Sequence, residues 1–299
     1  MSETHLDALE LSAERVAAVT DFYESYATLA LRQGQNSDPE IAGLDAASAL
    51  RSAGQWAMIL DPQRAADLLV GSARLWHQHG HGFGTYLLAA LRPAALPGTD
   101  RRMRQRQLQV LLTGRPVKGV DVPAPLLHPQ QQAYLLLAGA GGPAAWAGMG
   151  DAAARSVHRL GVVPIGALGT PLRVYWDIAM HLLSDDGARA APVKDMTPGL
   201  EAIAGHLEAM AASYATAINS AMANEYLWFS AASPVDVGDV DIAAIAALAA
   251  RRFGIEPVVA ALSRRAEQHD PLTRVPLELA VELAVHVMRQ TEPPRLEEF

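Results

Sequence analysis

"WHQHGHGFG", residues 76–84, sets three histidines on alternate positions inside a ladder of glycines, and its reading decides the fold. As a phosphate loop it would follow a strand and announce an α/β protein; as a metal site it would announce an enzyme; as a bend it joins two helices. Gly80 sits directly after "ARLWHQH", where the residue beyond a helix C-terminus needs a left-handed backbone. His77 and His79 then occupy the last turn, where a partly positive side chain favours the helix dipole. If the helix ran on, His77 and His81 would share a face at i, i+4, and His77, His79 and His81 would be the candidate metal ligands. No carboxylate lies near them in sequence to complete such a set. The dinucleotide fingerprint also lacks its preceding strand. The stretch reads as a bend, with a metal as the alternative.

Outward from the bend, helical signals recur. "SAERVAAVTDFYESYATLALRQG" spaces Val16, Val19, Tyr23, Tyr26 and Ala30 by three and four residues and stops at Gly34. "AGLDAASALRSAGQWAMIL" follows, and then Asp61 and Pro62 fit the cap and first position of a helix running to residue 79. "TYLLAALRP" starts another helix, which Pro93 stops. Further helices are expected over 100–112, 129–138, 143–160, 171–184, 198–231, 239–253, 256–268 and 275–290, separated by proline- and glycine-rich connectors. Only "GVVPIG" could form a short strand. The expectation is an all-α protein of antiparallel helix pairs, packed as a repeat-like or bundle array. It forms one body over residues 1–299, with 115–128 and 187–198 as the candidate places for a subdivision.

Over residues 50–73, Leu50, Ala53, Gly54, Ala57, Ala66, Val70 and Ala73 put small residues where two antiparallel helices would cross. This spacing resembles one tetratricopeptide helix pair, with alanine at 57 where that family carries an aromatic and no proline at the expected end. No second copy follows at a period of about 34 residues. The resemblance covers about a tenth of the chain and implies stacked helix pairs without specifying a ligand.

Composition narrows the function classes. Half of the 299 residues are hydrophobic and 19 % are charged, the balance of a folded globular chain. Cysteine is absent, which removes disulfides, thiolate metal sites and cysteine nucleophiles together and suits a reducing cytoplasm, the expected location. A net charge of −8 argues against a nucleic-acid partner. The N-terminus shows no basic-then-apolar secretory pattern. The uncharged stretch 133–150 is broken by five glycines and Pro143, so a buried hairpin is expected there and no membrane partner. Gly139, Gly141 and Ala144 within it approximate G-x-G-x-x-A, but no acid follows at the ribose position.

Three further clusters are candidate sites. Arg101, Arg102, Arg104 and Arg106, with Arg115 and Lys118, form the one basic run, either a solvated helix face or a contact for an acidic partner. Asp236, Asp239 and Asp241 precede an apolar helix; they lack the EF-hand pattern, and Asp239 or Asp241 fits an N-cap. Asn219, Asn224, Glu225, Tyr226 and Trp228 end a long alanine-rich helix, with Tyr226 and Trp228 as candidate partner anchors. Walker, G-x-S-x-G, H-E-x-x-H and kinase signatures are missing, so a non-enzyme is preferred. The leading expectation is a helical interaction module (an adaptor, a chaperone-like or immunity-type binder, or a regulatory subunit) that holds a protein or peptide in a helix-lined groove. An enzyme assisted by metal at His77, His79 and His81 comes second, and an apolar small-molecule sensor or carrier built around 124–172 third. No cofactor is expected apart from that metal. The small-residue helix 198–231 suits a homo-oligomer.

Overall fold

A computed structural model describes residues 2–34, 38–95, 133–134, 137–138, 170–183, 197–223 and 238–289. The expectations for Arg101, Arg102, Arg104, Arg106, Arg115, Lys118, Asp236, Asn224, Glu225, Tyr226 and Trp228 lie outside these residues, as do those for 100–112, 143–160, "GVVPIG" and the glycines of 139–142. Every regular element among the described residues is helical: α1 Ser2–Ala8, α2 Ala13–Gly34, α3 Pro39–Ala57, α4 Pro62–Gln78, α5 Gly82–Leu91, a 3₁₀ turn Pro93–Ala95, α6 Thr170–Leu183, α7 Thr197–Ala223, α8 Val240–Phe253, α9 Ile255–Ala266 and α10 Pro271–Arg289. The protein is all-α. Among the described residues no helix is long and apolar enough to cross a membrane.

Aspartate–proline pairs set three of the helix starts. Asp38 accepts hydrogen bonds from the Glu40 and Ile41 amides ahead of Pro39, and Asp61 accepts from the Arg64 amide ahead of Pro62. Asp270 takes the Leu272 and Thr273 amides ahead of Pro271. Each carboxylate satisfies donors that have no intrahelical partner, while proline supplies a helical φ where no N–H is needed. The third pair starts α10 at 271, four residues before the expected 275, and Pro276 lies inside the helix. The first likewise starts α3 at 39, ahead of the expected 42.

α3 and α4 pack antiparallel along their whole length. A Cβ on Gly54 would lie 2.6 Å from Leu69 Cγ, and one on Gly71 3.5 Å from Leu50 Cδ1. Ser72 Oγ donates to the Ala47 carbonyl at 2.6 Å, and Gly43 meets the His79 ring. As one position steps down α3, its partner steps up α4. Small residues let the two backbones approach where larger ones would hold them apart.

α2 lies beside α3, and Arg64 of α4 reaches back to Asp21 and Glu24 of α2 at 2.6 Å. The buried stripe of α2 is Val16, Val19, Thr20, Tyr23 and Ala27. Ala30, expected on that stripe, is half-buried against the core, whereas Tyr26, also expected there, lies outside it. The apolar period continues from Tyr23 to Ala27, which turns Tyr26 toward solvent.

α8 lies at the centre, with every residue from Ile242 to Ala250 buried. A helix apolar on all sides has to be enclosed, and α5, α7, α9 and α10 enclose this one. Arg251, in its last turn, donates from Nε and Nη2 to the Ala90 carbonyl of α5. Around it, His286 of α10 lies 2.9 Å from Gln63 of α4, and His5 of α1 lies 2.9 Å from Glu278 of α10. Arg265 of α9 is paired with Glu201 and Glu208 of α7. One buried cluster runs from Leu9 to Val287 and includes Trp56, Tyr86, Leu69 and Leu279. Each large side chain so enclosed contributes about 1.5–3 kcal/mol.

Candidate functional site

The histidine stretch is a helix end. Gly80 takes φ +75°, its amide donates to the His77 carbonyl at 3.0 Å, and the His81 amide donates to the Trp76 carbonyl at 2.9 Å. These are the two closing bonds of a Schellman motif, the device expected for Gly80. The three rings go to three different neighbours. His77 Nδ1 lies 2.9 Å from Thr85 Oγ1, and His81 packs edge-on to Trp76 with ring centroids 4.9 Å apart. The His79 ring rests on the backbone of Gly43 in α3. Among the described residues, no three histidine, aspartate or glutamate side chains converge in a way that could hold a metal ion.

That contact makes Gly43 a sensitive position. A Cβ there would fall 2.1 Å from His79 Nε2, so the ring must move aside. Gly43→Ala is expected to destabilise by about 1–2 kcal/mol, and His79→Ala in the same chain to restore most of the loss. A double-mutant cycle in urea measures it, and additive effects would mean that the two residues do not touch.

A second feature is half-buried and polar. Asp239 caps α8 through the Asp241 and Ile242 amides at 2.8 and 3.2 Å, as its place before an apolar helix predicts. Gly238 before it fits against the end of α3, where a Cβ would sit 2.6 Å from the Gln55 carbonyl oxygen. Gln55 Nε2 donates to the Gly238 carbonyl. Asp241 Oδ2 accepts from the Tyr175 hydroxyl of α6 at 2.8 Å, and Tyr86 of α5 reaches the Asp241 carbonyl at 3.4 Å. Tyr134 stacks on Tyr86 with centroids 5.5 Å apart and touches Phe83 and Tyr175. Burial, and then the neighbouring Asp239 carboxylate, push the Asp241 carboxyl up to about 7, against the pull of Tyr175 and Arg51. Burial raises Asp239 as well, against its two amide bonds, and raises the Tyr86 and Tyr175 hydroxyls. Asp239 was legible as a cap. Its tyrosine surroundings were not, because Asp241 is 66 residues from Tyr175 and 155 from Tyr86.

The third feature is at the surface. Phe22, Tyr26 and Leu29 of α2 stand 49, 44 and 50 % exposed, and Ile41 of α3 59 % exposed. Tyr26, Leu29 and Ile41 flank a groove of about 330 Å³ between α2 and α3, lined also by Ala30, Gln33, Asp38, Ala42 and Asp45, and Phe22 stands one turn before Tyr26 on the same face of α2. Its two walls differ. On α2, Tyr26, Leu29 and Gln33 follow one another at i, i+3 and i+7, a wall that is apolar at Tyr26 and Leu29 and polar at Gln33, with Phe22 one turn ahead on the same face. On α3, Asp38, Ile41 and Asp45 fall at i, i+3 and i+7 along one face from the cap onward, so that wall is acidic with one apolar residue. Arg64 ties α2 to α4 through Asp21 and Glu24, none of which lines the groove. In the sequence this strip is only a second apolar period, offset from the core stripe of the same helix. Asn219, the one described member of the polar cluster at the end of α7, is exposed.

Comparison with protein families, with curated proteins and with solved structures finds no match to this chain. Its function has to be read from the histidine bend, the half-buried aspartates and the groove.

Proposed function

We propose that the protein is a helical interaction module whose partner docks in the groove between α2 and α3. One observation carries the reading: three large apolar side chains, Tyr26, Leu29 and Ile41, stand about half-exposed or more along that groove. An apolar strip held in water costs free energy that a partner would recover on binding, and helix-lined grooves are a common receptor for such strips. The resemblance of residues 50–73 to a tetratricopeptide pair supports the same reading, since that unit stacks helices side by side.

The test places a photo-crosslinking amino acid at Leu29 and, as a control, at Ser263 on α9, followed by native mass spectrometry of the untagged protein from its own host. The expected result is an adduct to another polypeptide at Leu29 alone, in a complex of defined mass. Bare chains with no adduct, or a chain carrying a metal or metabolite and no polypeptide, would sink the proposal.

A further inference from the structure

From the chemistry of its two walls, we infer that the α2–α3 groove takes a basic amphipathic helix of a partner protein; this deepens the interaction reading and rests on it. The groove wall from Tyr26 to Gln33 rises seven residues along α2, about 10 Å at 1.5 Å per residue, and Phe22 extends that face by one turn to about 16 Å. That is the length of three turns of a docked helix, which would present its own apolar residues at i, i+3, i+4 and i+7. The residues flanking that apolar edge then face the α3 wall, where Asp38 and Asp45 stand exposed just under two turns apart with Ile41 between them. Lysine or arginine on that flank meets carboxylates within reach of solvent. Such pairs add orientation and encounter rate more than raw affinity.

The same wall disfavours the other occupants. A second copy docking through this face would bring Asp38 and Asp45 against a partner of equal charge, on a chain of net charge −8. An anionic lipid surface or a nucleic-acid backbone would meet carboxylates where each needs cations. An acidic helix meets the same repulsion, so the groove discriminates by charge while binding through apolar contact.

Two synthetic helical peptides of about 14 residues serve as probes. They share one leucine edge, and one carries lysine and arginine on its flank where the other carries glutamate. Fluorescence anisotropy reads their binding to the full chain. The basic peptide is expected to bind at least about tenfold tighter than the acidic one, with an affinity that falls as salt rises. Asp45→Lys, an exposed change away from the Asp38 cap, should weaken the basic peptide about tenfold and strengthen the acidic one. Leu29→Asp should abolish both. Circular dichroism and the melting temperature confirm that the two variants are folded. Equal binding of the two peptides, no binding of either, or no response to Asp45→Lys would overturn the inference. So would a concentration-dependent dimer that Leu29→Asp dissolves. A polypeptide adduct at Leu29 together with no charge preference would leave the interaction reading standing and remove only the basic helix; no adduct and no peptide binding would remove both.

Discussion

Gly84→Ala is expected to cost about 3 kcal/mol, a large share of the 5–15 kcal/mol that holds a typical domain together. A Cβ at position 84 would lie 2.4 Å from the His77 amide nitrogen, 2.5 Å from the Ala73 carbonyl oxygen and 2.6 Å from Trp76 Cβ. Two of these atoms are backbone of α4, and none can swing aside as a side-chain tip can. The alternative to the overlap is to lift the first turn of α5 off α4, which would break the His77–Thr85 contact and displace Phe83 and Tyr86 from the core. Gly71→Ala is the matched control. Its Cβ would meet only Leu50 Cδ1, at an ordinary 3.5 Å, inside a regular helix. Alanine is the better helix former by about 1 kcal/mol, so this variant should be neutral or slightly more stable. Urea unfolding followed by far-ultraviolet circular dichroism compares the two. Equal midpoints for Gly84→Ala and the parent would show that α5 does not cross α4 this closely.

The second large effect is a contribution of Asp241 to stability that falls as pH rises from about 4 to about 7. In the unfolded chain Asp241 ionises in the ordinary carboxylate range near 4; folded, it holds its proton up to about 7. Between those values the unfolded state has released a proton that the folded state keeps, so each pH increment favours unfolding, and the loss levels off above 7. Asp239, raised in the same direction, adds to it. A tenfold change in proton affinity is worth about 1.4 kcal/mol, so the gap between folded and unfolded Asp241 sets a ceiling of about 4 kcal/mol. Asp241 Oδ1 is shielded from water and accepts no hydrogen bond among the described residues, a costly place for a full negative charge. Asp241→Asn keeps an oxygen for the Tyr175 hydroxyl and removes the titration. Its stability should change less between pH 5 and 8 than that of the parent, and above pH 7.5 it should be the more stable of the two. Parallel curves for the two proteins across that range would refute this account of the Asp239–Asp241 pair.

Both predictions depend on residues whose local meaning was plain and whose surroundings were not. Gly80 could be recognised as a helix end because a left-handed residue after a helix is a local requirement. Gly84 looked like one more member of the same glycine ladder. Its reason lies across the bend, in the backbone of α4. Asp61–Pro62 signalled a helix start, and Asp38–Pro39 and Asp270–Pro271 carry the same signal at the two places where the expected boundaries fell short. In α2 the period was right and its phase partly wrong. Val16, Val19 and Tyr23 are buried, but Tyr26 is exposed, since three- and four-residue steps allow two stripes and only packing against α3 and α4 selects one.

The sequence by itself determined the class of this protein: all-helical, with its bends at glycine and its starts at Asp–Pro, because caps, turns and apolar periods are satisfied within a few residues of chain. Tertiary structure alone decided what those helices bring together. His77, His79 and His81 are neighbours in sequence, yet their rings turn to Thr85, Gly43 and Trp76. Asp241, Tyr86 and Tyr175, far apart in the chain, meet at the half-buried start of α8. The apolar strip of α2 becomes one wall of a groove only because α3 folds back beside it and sets Asp38 and Asp45 opposite. Burial and juxtaposition are properties of the packed chain, and no local pattern of residues encodes them.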